Sequence, residues 1–213
     1  MYYNRGNLLI GFHGCSRSTA DLLISSTTAD NIQKSTKPYD WLGHGVYFWE
    51  NNLARAWEWA NAKANRGDID EPAVIGAVLS LDHCFDLLDS RFIDMLRAYH
   101  DVMVAHYTSI SKPLPANIDS KHDVYKDKIL RELDCAVIEF MHQKIREKIS
   151  EDKQRQGFAE ITPFDSARGM FAEGGPAFIG AGVQLKNHIQ ICIRNLNCIK
   201  GIFLPREETV FQP

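Results

Sequence analysis

Three short segments carry side chains whose types and spacing could do chemistry. They are Phe12-His13-Gly14-Cys15-Ser16, Gly43-His44-Gly45-Val46-Tyr47-Phe48 and His188-Ile189-Gln190-Ile191-Cys192-Ile193-Arg194. An imidazole beside a glycine offers ring nitrogens to a hydroxyl, and the glycine allows close backbone approach. A tyrosine after Gly-x-Gly presents a flat ring with a polar tip. A glutamine carbonyl accepts a hydrogen bond but supplies no charge. Taken singly, each segment also has a packing explanation: a histidine capping a strand end, a glycine hairpin before an aromatic core strand, an edge strand with polar residues facing water. The signatures of metal and phosphate sites are missing, with no HExxH, no P-loop, no Gly-x-Gly-x-x-Gly before a helix and no paired Cys/His spacing. The sequence therefore predicts no bound metal. A dyad of Cys15 with one of the eight histidines lacks any local protease signature, and a packed thiol is the preferred reading.

These residues need a scaffold, and the chain is long enough to make one. Its 213 residues are 45% hydrophobic and 24% charged, which is ordinary globular usage and excludes disorder, collagen-like repeats and fibres. A net charge of −3 provides no global basic field for nucleic acid. Five scattered cysteines form no CxxC pair and read as buried free thiols in a reducing cytosol. Residues 1–7 show no basic segment leading into an apolar one, and the run Leu8 to Phe12 is too short to cross a membrane. The expected compartment is the cytoplasm.

Leu8–Phe12 reads as a buried strand and Ser18–Ile24 as a short helix. Val46–Trp49 reads as a strand opened by a glycine turn. Leu53, Ala56, Trp57, Ala60 and Ala64 fall at helical spacing, with Gly67 as a stop. Ala73–Leu81 is a strong buried strand. The period then turns helical over Asp89–His106 and Tyr125–Glu151, the second with a stripe of Ile129, Leu133, Val137, Phe140, Met141 and Ile145. Arg168–Gly182 holds five of the fourteen glycines, and His188–Arg194 and Cys198–Leu204 read as late strands. Strands at both ends around a helical middle predict an α+β fold, and the length allows one full domain or one domain carrying an insertion.

A strand-end His-Gly, a Gly-x-Gly-x-Tyr-Phe leading into a helix, and a polar residue on a late strand form an ordered trio. It resembles the ADP-ribosyltransferase superfamily, in its poly(ADP-ribose)-polymerase-like branch with a His–Tyr–Glu triad. The likeness covers residues 9–62 well and 165–205 moderately, and no specific match extends over 85–160. It implies one domain, 1–213, built as a split pair of small antiparallel sheets with an NAD+ cleft between them and carrying a helical insertion at about 85–160. His13 would bind a ribose hydroxyl, and Gly14 would grip the nicotinamide carboxamide through its backbone. Tyr47 would stack on the nicotinamide, with Gly43 and Gly45 giving close backbone approach. Gln190 falls where the family has its catalytic Glu, and Gly169–Gly182 would form the loop facing the acceptor.

Breaking the nicotinamide–ribose bond passes through an oxocarbenium-like state, so positioning and electrostatic support are the protein's main tasks. Gln190 supplies no negative charge, and Glu173 in the glycine-rich stretch is the alternative carboxylate. Arg168 and Arg194 are candidate pyrophosphate anchors, with exposed salt-bridging the favoured reading of each. Trp41 or Trp59 could serve as a stacking platform, though packing is favoured for both. The resemblance implies transfer of ADP-ribose to a protein or nucleic acid. Compact members of the superfamily include microbial toxins and conflict-system effectors, which would add a neutralising partner protein. Water as acceptor would make an NAD+ glycohydrolase, and the Gln for Glu replacement suits a catalytically weak nucleotide-binding module. An RNA 2′-phosphotransferase would want basic residues that the trio lacks.

Overall fold

The computed structural model describes residues 8–26, 31–121 and 123–206, so the chain start considered above lies outside the described residues. The chain is α+β. In order it forms β1 (Leu9–Ser16), α1 (Arg17–Ser25), β2 (Val46–Glu50), α2 (Leu53–Asn65), β3 (Pro72–Leu79), β4 (Cys84–Asp86) and α3 (Ser90–Ser109). Then follow β5 (Asn117–Ile118), β6 (Leu130–Arg131), α4 (Glu132–Gln156), β7 (Ser166–Phe171), β8 (His188–Ile193) and β9 (Ile199–Phe203). Seven strands make one mixed sheet in the order β4-β7-β8-β2-β1-β3-β9, and β5-β6 is a separate ladder. Among the described residues only the β4–β7 pair is parallel.

The expected pair of small sheets is thus replaced by one continuous sheet, which nonetheless has a seam. β1 pairs with β3 over eight residues, but with β2 only at Gly11↔Glu50 and Phe12↔Trp49. Past Phe12 the two strands part. Side-chain alternation then sorts the cores. Val46, Phe48, Ile75, Ala77, Ile191 and Ile193 face α1, which contributes Ala20 and Leu23. On the opposite face, Trp49 and Val74 meet Ala56 and Ala60 of α2. Tyr47, Ala167, Phe171 and Cys192 meet Ile138, Met141 and Ile145 of α4 there.

α4 is therefore a roof over the main sheet, not an appendage, and α3 packs on it through Met103, Val137 and Phe140. The helix begins at Glu132, seven residues later than its hydrophobic stripe suggests. Lys126 and Lys128 adopt positive φ, which no helix continues through, and Ile129 is exposed. The new start is capped from a distance, because the Asn117 side-chain carbonyl accepts the N–H groups of Leu133 and Asp134. Gly157, at φ 84, ends the helix. The glycine-rich stretch also differs from expectation. Gly169 lies inside β7 rather than in a loop, and β4 adds a strand at the start of the segment expected as a helical insertion.

Met141 is fully buried between α4 and the sheet. Met141→Ala is expected to cost about 2–5 kcal/mol in urea unfolding with an unchanged slope, as a cavity in a shared core would. A loss below about 0.5 kcal/mol would mean that α4 is peripheral.

Candidate functional site

The seam between β1 and β2 organises the first group of residues. Where the ladder stops, the Tyr47 carbonyl takes a hydrogen bond from His13 Nδ1 at 2.7 Å. A carbonyl only accepts, so Nδ1 holds the proton and Nε2 presents a lone pair. Burial lowers the His13 pKa, outweighing the backbone bond that raises it, so the ring is neutral near pH 7. The Ile10 carbonyl accepts from Asn51 N–H on the β2 side, and alternate residues of a strand share that direction. Gly14 therefore aims its N–H and C=O at the same side, where β2 has left. A Cβ on Gly14 would lie 2.6 Å from the Ala56 carbonyl, so the glycine also seats α2. Trp59 of α2 stands 6.3 Å from the His13 ring, with Lys63 Nζ 4.3 Å from its centroid. His13, Gly14, Trp59 and Lys63 thus form one neighbourhood.

Tyr47 and the two motif glycines take on structural tasks. The Tyr47 hydroxyl donates to the Gly43 carbonyl at 2.8 Å and accepts Leu42 N–H at 2.9 Å, while its ring packs beneath α4. Burial pushes its pKa well above 10. Gly43 has φ +79, and a Cβ there would lie 2.6 Å from Glu139 Oε1. On Gly45 a Cβ would lie 2.5 Å from Cys192 Sγ. The close approaches these glycines permit are to α4 and β8. Glu139 fixes the turn by accepting His44 N–H at 2.8 Å and Arg194 Nη1 at 2.5 Å. Burial alone would raise the Glu139 carboxyl, but Arg194 and the backbone bond hold it below the usual range. Arg194 is consumed in this clamp. Arg168 is buried between Glu50, at 2.5 Å, and Asp86, at 3.3 Å. Neither arginine is the exposed surface charge expected.

A second group lies across β2, β8 and the end of β7. Gln190 stands opposite Trp49 on one side and Gly169 on the other. Its Oε1 already accepts the Trp41 indole N–H at 2.6 Å. Trp41 lies over Gly169, where a Cβ would come within 2.7 Å of the ring. Arg131 stacks on Phe171 at 3.9 Å and on Trp41 at 5.3 Å, and both Trp41 and Arg131 line a cavity of about 290 Å³. Glu173, just past β7, is ion-paired with Arg55 of α2, and both side chains are only 14% exposed. Burial raises the Glu173 pKa against the pull of Arg55. Two root contacts hold the glycine-rich loop, Gly174 N–H to Asp127 at 2.8 Å and Lys186 N–H to the Glu173 carbonyl at 2.9 Å.

No family model, curated protein or solved structure matches this chain. The site must be judged on its own geometry. His13 and Gln190 come to neighbouring parts of one sheet from positions 177 residues apart, and Tyr47 lies between them as scaffold. The five cysteines are buried, and burial raises Cys15 to about 11, so it is no ready nucleophile. Among the described residues no cluster of His, Cys, Asp and Glu suits a metal ion, and no helix is long and apolar enough to cross a membrane. Sequence reading missed Arg55, Lys63 and His188. The only available signal was parity, since His188 shares a strand face with Gln190.

Burial holds His188 at about 4 and His142 at about 3, far below the ordinary 6.5. Both are neutral in the folded chain, whereas the unfolded chain binds their protons first as pH falls. Stability from these groups is therefore complete above pH 6.5 and is lost as pH falls towards 4 and then 3. Unfolding free energy is expected to drop by about 6 kcal/mol between pH 7 and pH 4 through these two groups together. His188→Asn should flatten that slope. An unchanged slope would show that His188 titrates normally.

Proposed function

We propose that this chain transfers ADP-ribose from NAD+ to a macromolecular acceptor. The observation that carries the reading is the seam. There a neutral imidazole with its Nε2 lone pair, a glycine backbone aimed where a strand has left, and an indole face share one neighbourhood. These parts suit a nicotinamide riboside: His13 Nε2 accepts from a ribose hydroxyl, and Gly14 N–H and C=O pair with the carboxamide. Trp59 offers the flat face, because Tyr47 is held under α4 by its hydroxyl. Lys63 is the nearby cation for the diphosphate. In the reaction the C1′–N bond breaks, its electron pair stays on nicotinamide, and charge develops on the ribose. The acceptor nucleophile then bonds to C1′ and loses its proton. Gln190 uses one Oε1 lone pair for Trp41 and keeps another for a ribose hydroxyl. Scattered, buried free thiols suit a reducing cytoplasm as the compartment. A toxin role, with a neutralising partner protein, is compatible with so compact a domain.

One observation favours a second reading, a binding module with little turnover. Gln190 is uncharged, and the nearby carboxylate Glu173 is neutralised by Arg55. A single assay separates the readings. The protein is incubated with adenylate-labelled NAD+ and cell lysate, and free nicotinamide, free ADP-ribose and labelled macromolecule are measured. Transfer predicts labelled macromolecule, reduced at least about 10-fold in His13→Ala and raised about 10-fold or more in Gln190→Glu, which restores charge beside the developing cation. Free ADP-ribose alone would make the chain an NAD+ glycohydrolase. Binding without release would leave the module, and no binding would end both readings.

A further inference from the structure

Three polar side-chain atoms cluster near Gln190 and Glu173, and the proposed reaction uses none of them. Trp49 Nε1, Arg55 Nε and His188 Nε2 are buried with no hydrogen-bond partner among the described residues. Trp49 is 4% exposed and His188 7%, so both are deeply enclosed. A buried polar atom left unpaired carries the full penalty of its desolvation, and three in one region call for an occupant. They share that region. Trp49 lies opposite Gln190 in the β2–β8 ladder, and His188 lies two residues from Gln190 on the same face. The Trp49 and His188 rings are 6.4 Å apart between centroids. Arg55, through its pair with Glu173, lies close enough to act on His188 electrostatically.

The roles of the three atoms are fixed by chemistry. The indole N–H and the guanidinium Nε–H only donate. His188 Nδ1 donates to the Lys186 carbonyl at 2.7 Å, so its proton is on Nδ1 and Nε2 only accepts. The set is two donors and one acceptor. An oxygen that accepts twice and donates once complements it, and that is a hydroxyl group. A carboxylate or ionised phosphate oxygen has no proton for His188, and an ammonium has no lone pair for Trp49 or Arg55. An alkyl group would leave all three unpaired.

We propose that Trp49, Arg55 and His188 form a subsite for a single hydroxyl. Two sources carry that chemistry, a ribose hydroxyl of NAD+ and a buried water, and the ribose source rests on the ADP-ribosyl reading above. Trp49 would be a positioning residue in either case. Gln190 and the subsite sit side by side on one face, so the hydroxyl bound here is adjacent to the one Gln190 accepts.

The test begins with the unaltered protein, crystallised alone and with NAD+. An oxygen peak within hydrogen-bond reach of both Trp49 Nε1 and His188 Nε2 is expected in at least one of the two structures. Affinities for NAD+ and for its 2′-deoxy and 3′-deoxy nicotinamide-riboside analogues then assign the source, in wild type and in Trp49→Phe, which keeps an aromatic ring and removes the donor. If the oxygen is a ribose hydroxyl, one analogue binds about 10-fold more weakly than NAD+ to wild type, and Trp49→Phe abolishes that difference. If it is water, the peak is present without NAD+ and persists with it, and this difference is unaltered by the substitution. Absence of the peak from both structures overturns the proposal. Should Trp49→Phe fail to fold, the indole N–H resonance of the labelled wild-type protein decides. A downfield, slowly exchanging proton supports a bonded donor, and one with an unbonded shift overturns it. Failure of NAD+ to bind ends the ADP-ribosyl reading yet leaves the water arm standing. Binding of NAD+ with no oxygen ends the subsite alone.

Discussion

A backbone carbonyl that loses its strand partner must find another donor or go unpaired in a place water hardly reaches. That constraint acts at Tyr47. β1 leaves β2 after two residue pairs, and His13 supplies the proton that the ladder no longer gives. This one bond fixes the imidazole tautomer, and the same parting of strands exposes the Gly14 backbone. Around it the rest of the architecture holds the seam in place. α2 presses on Gly14 from one face, and α1 packs behind Phe48 and Ile75 on the other. Glu139 of α4 ties down the Gly43–His44 turn that leads into β2, accepting both His44 N–H and Arg194 from the end of β8.

The candidate site depends on a second kind of constraint, the neutralisation of charge inside a crowded face. Arg55 with Glu173, Arg194 with Glu139, and Arg168 with Glu50 and Asp86 join elements far apart in the chain. Breaking such a pair from one side strands a buried charge, which is why these contacts resist piecemeal change. They also explain the muted electrostatics of the site. Glu173, the alternative carboxylate, is matched by Arg55, so its charge is balanced within the face.

Local pattern made much of the scaffold legible. Alternation and apolar runs located β2, β3, β8 and the start of β1, and helical spacing located α2 and α3 to within a few residues. β1 runs on through the expected strand end at His13-Gly14 to Ser16, because β3 pairs with it throughout. The errors have physical causes. Tyr125–Arg131 follows the hydrophobic stripe of α4, but positive φ at Lys126 and Lys128 and the Asn117 cap move the helix start. β4 is three residues long and owes its existence to β7, a partner 82 residues away, so no local period marks it. His13 and Gln190 could be picked out by residue type and order. Their partners could not, since Trp41–Gln190 and Arg55–Glu173 span 149 and 118 residues and depend on the packed sheet. Tyr47 shows the opposite limit: a motif identifies a tyrosine but cannot tell a stacking ring from a strut.

The buried cysteines have a practical meaning for anyone handling the molecule. All five are enclosed, and burial raises Cys15 to about 11, Cys135 and Cys198 to about 12, and Cys192 still higher. Thiolate is the reactive form, so in the native state these positions are nearly silent towards alkylating reagents at neutral pH. Unfolding returns them to ordinary acidity and to solvent together. The chain thus carries its own chemical clock for opening, spread across β1, β4, α4, β8 and the turn before β9, in which the order of labelling would reveal which layer yields first.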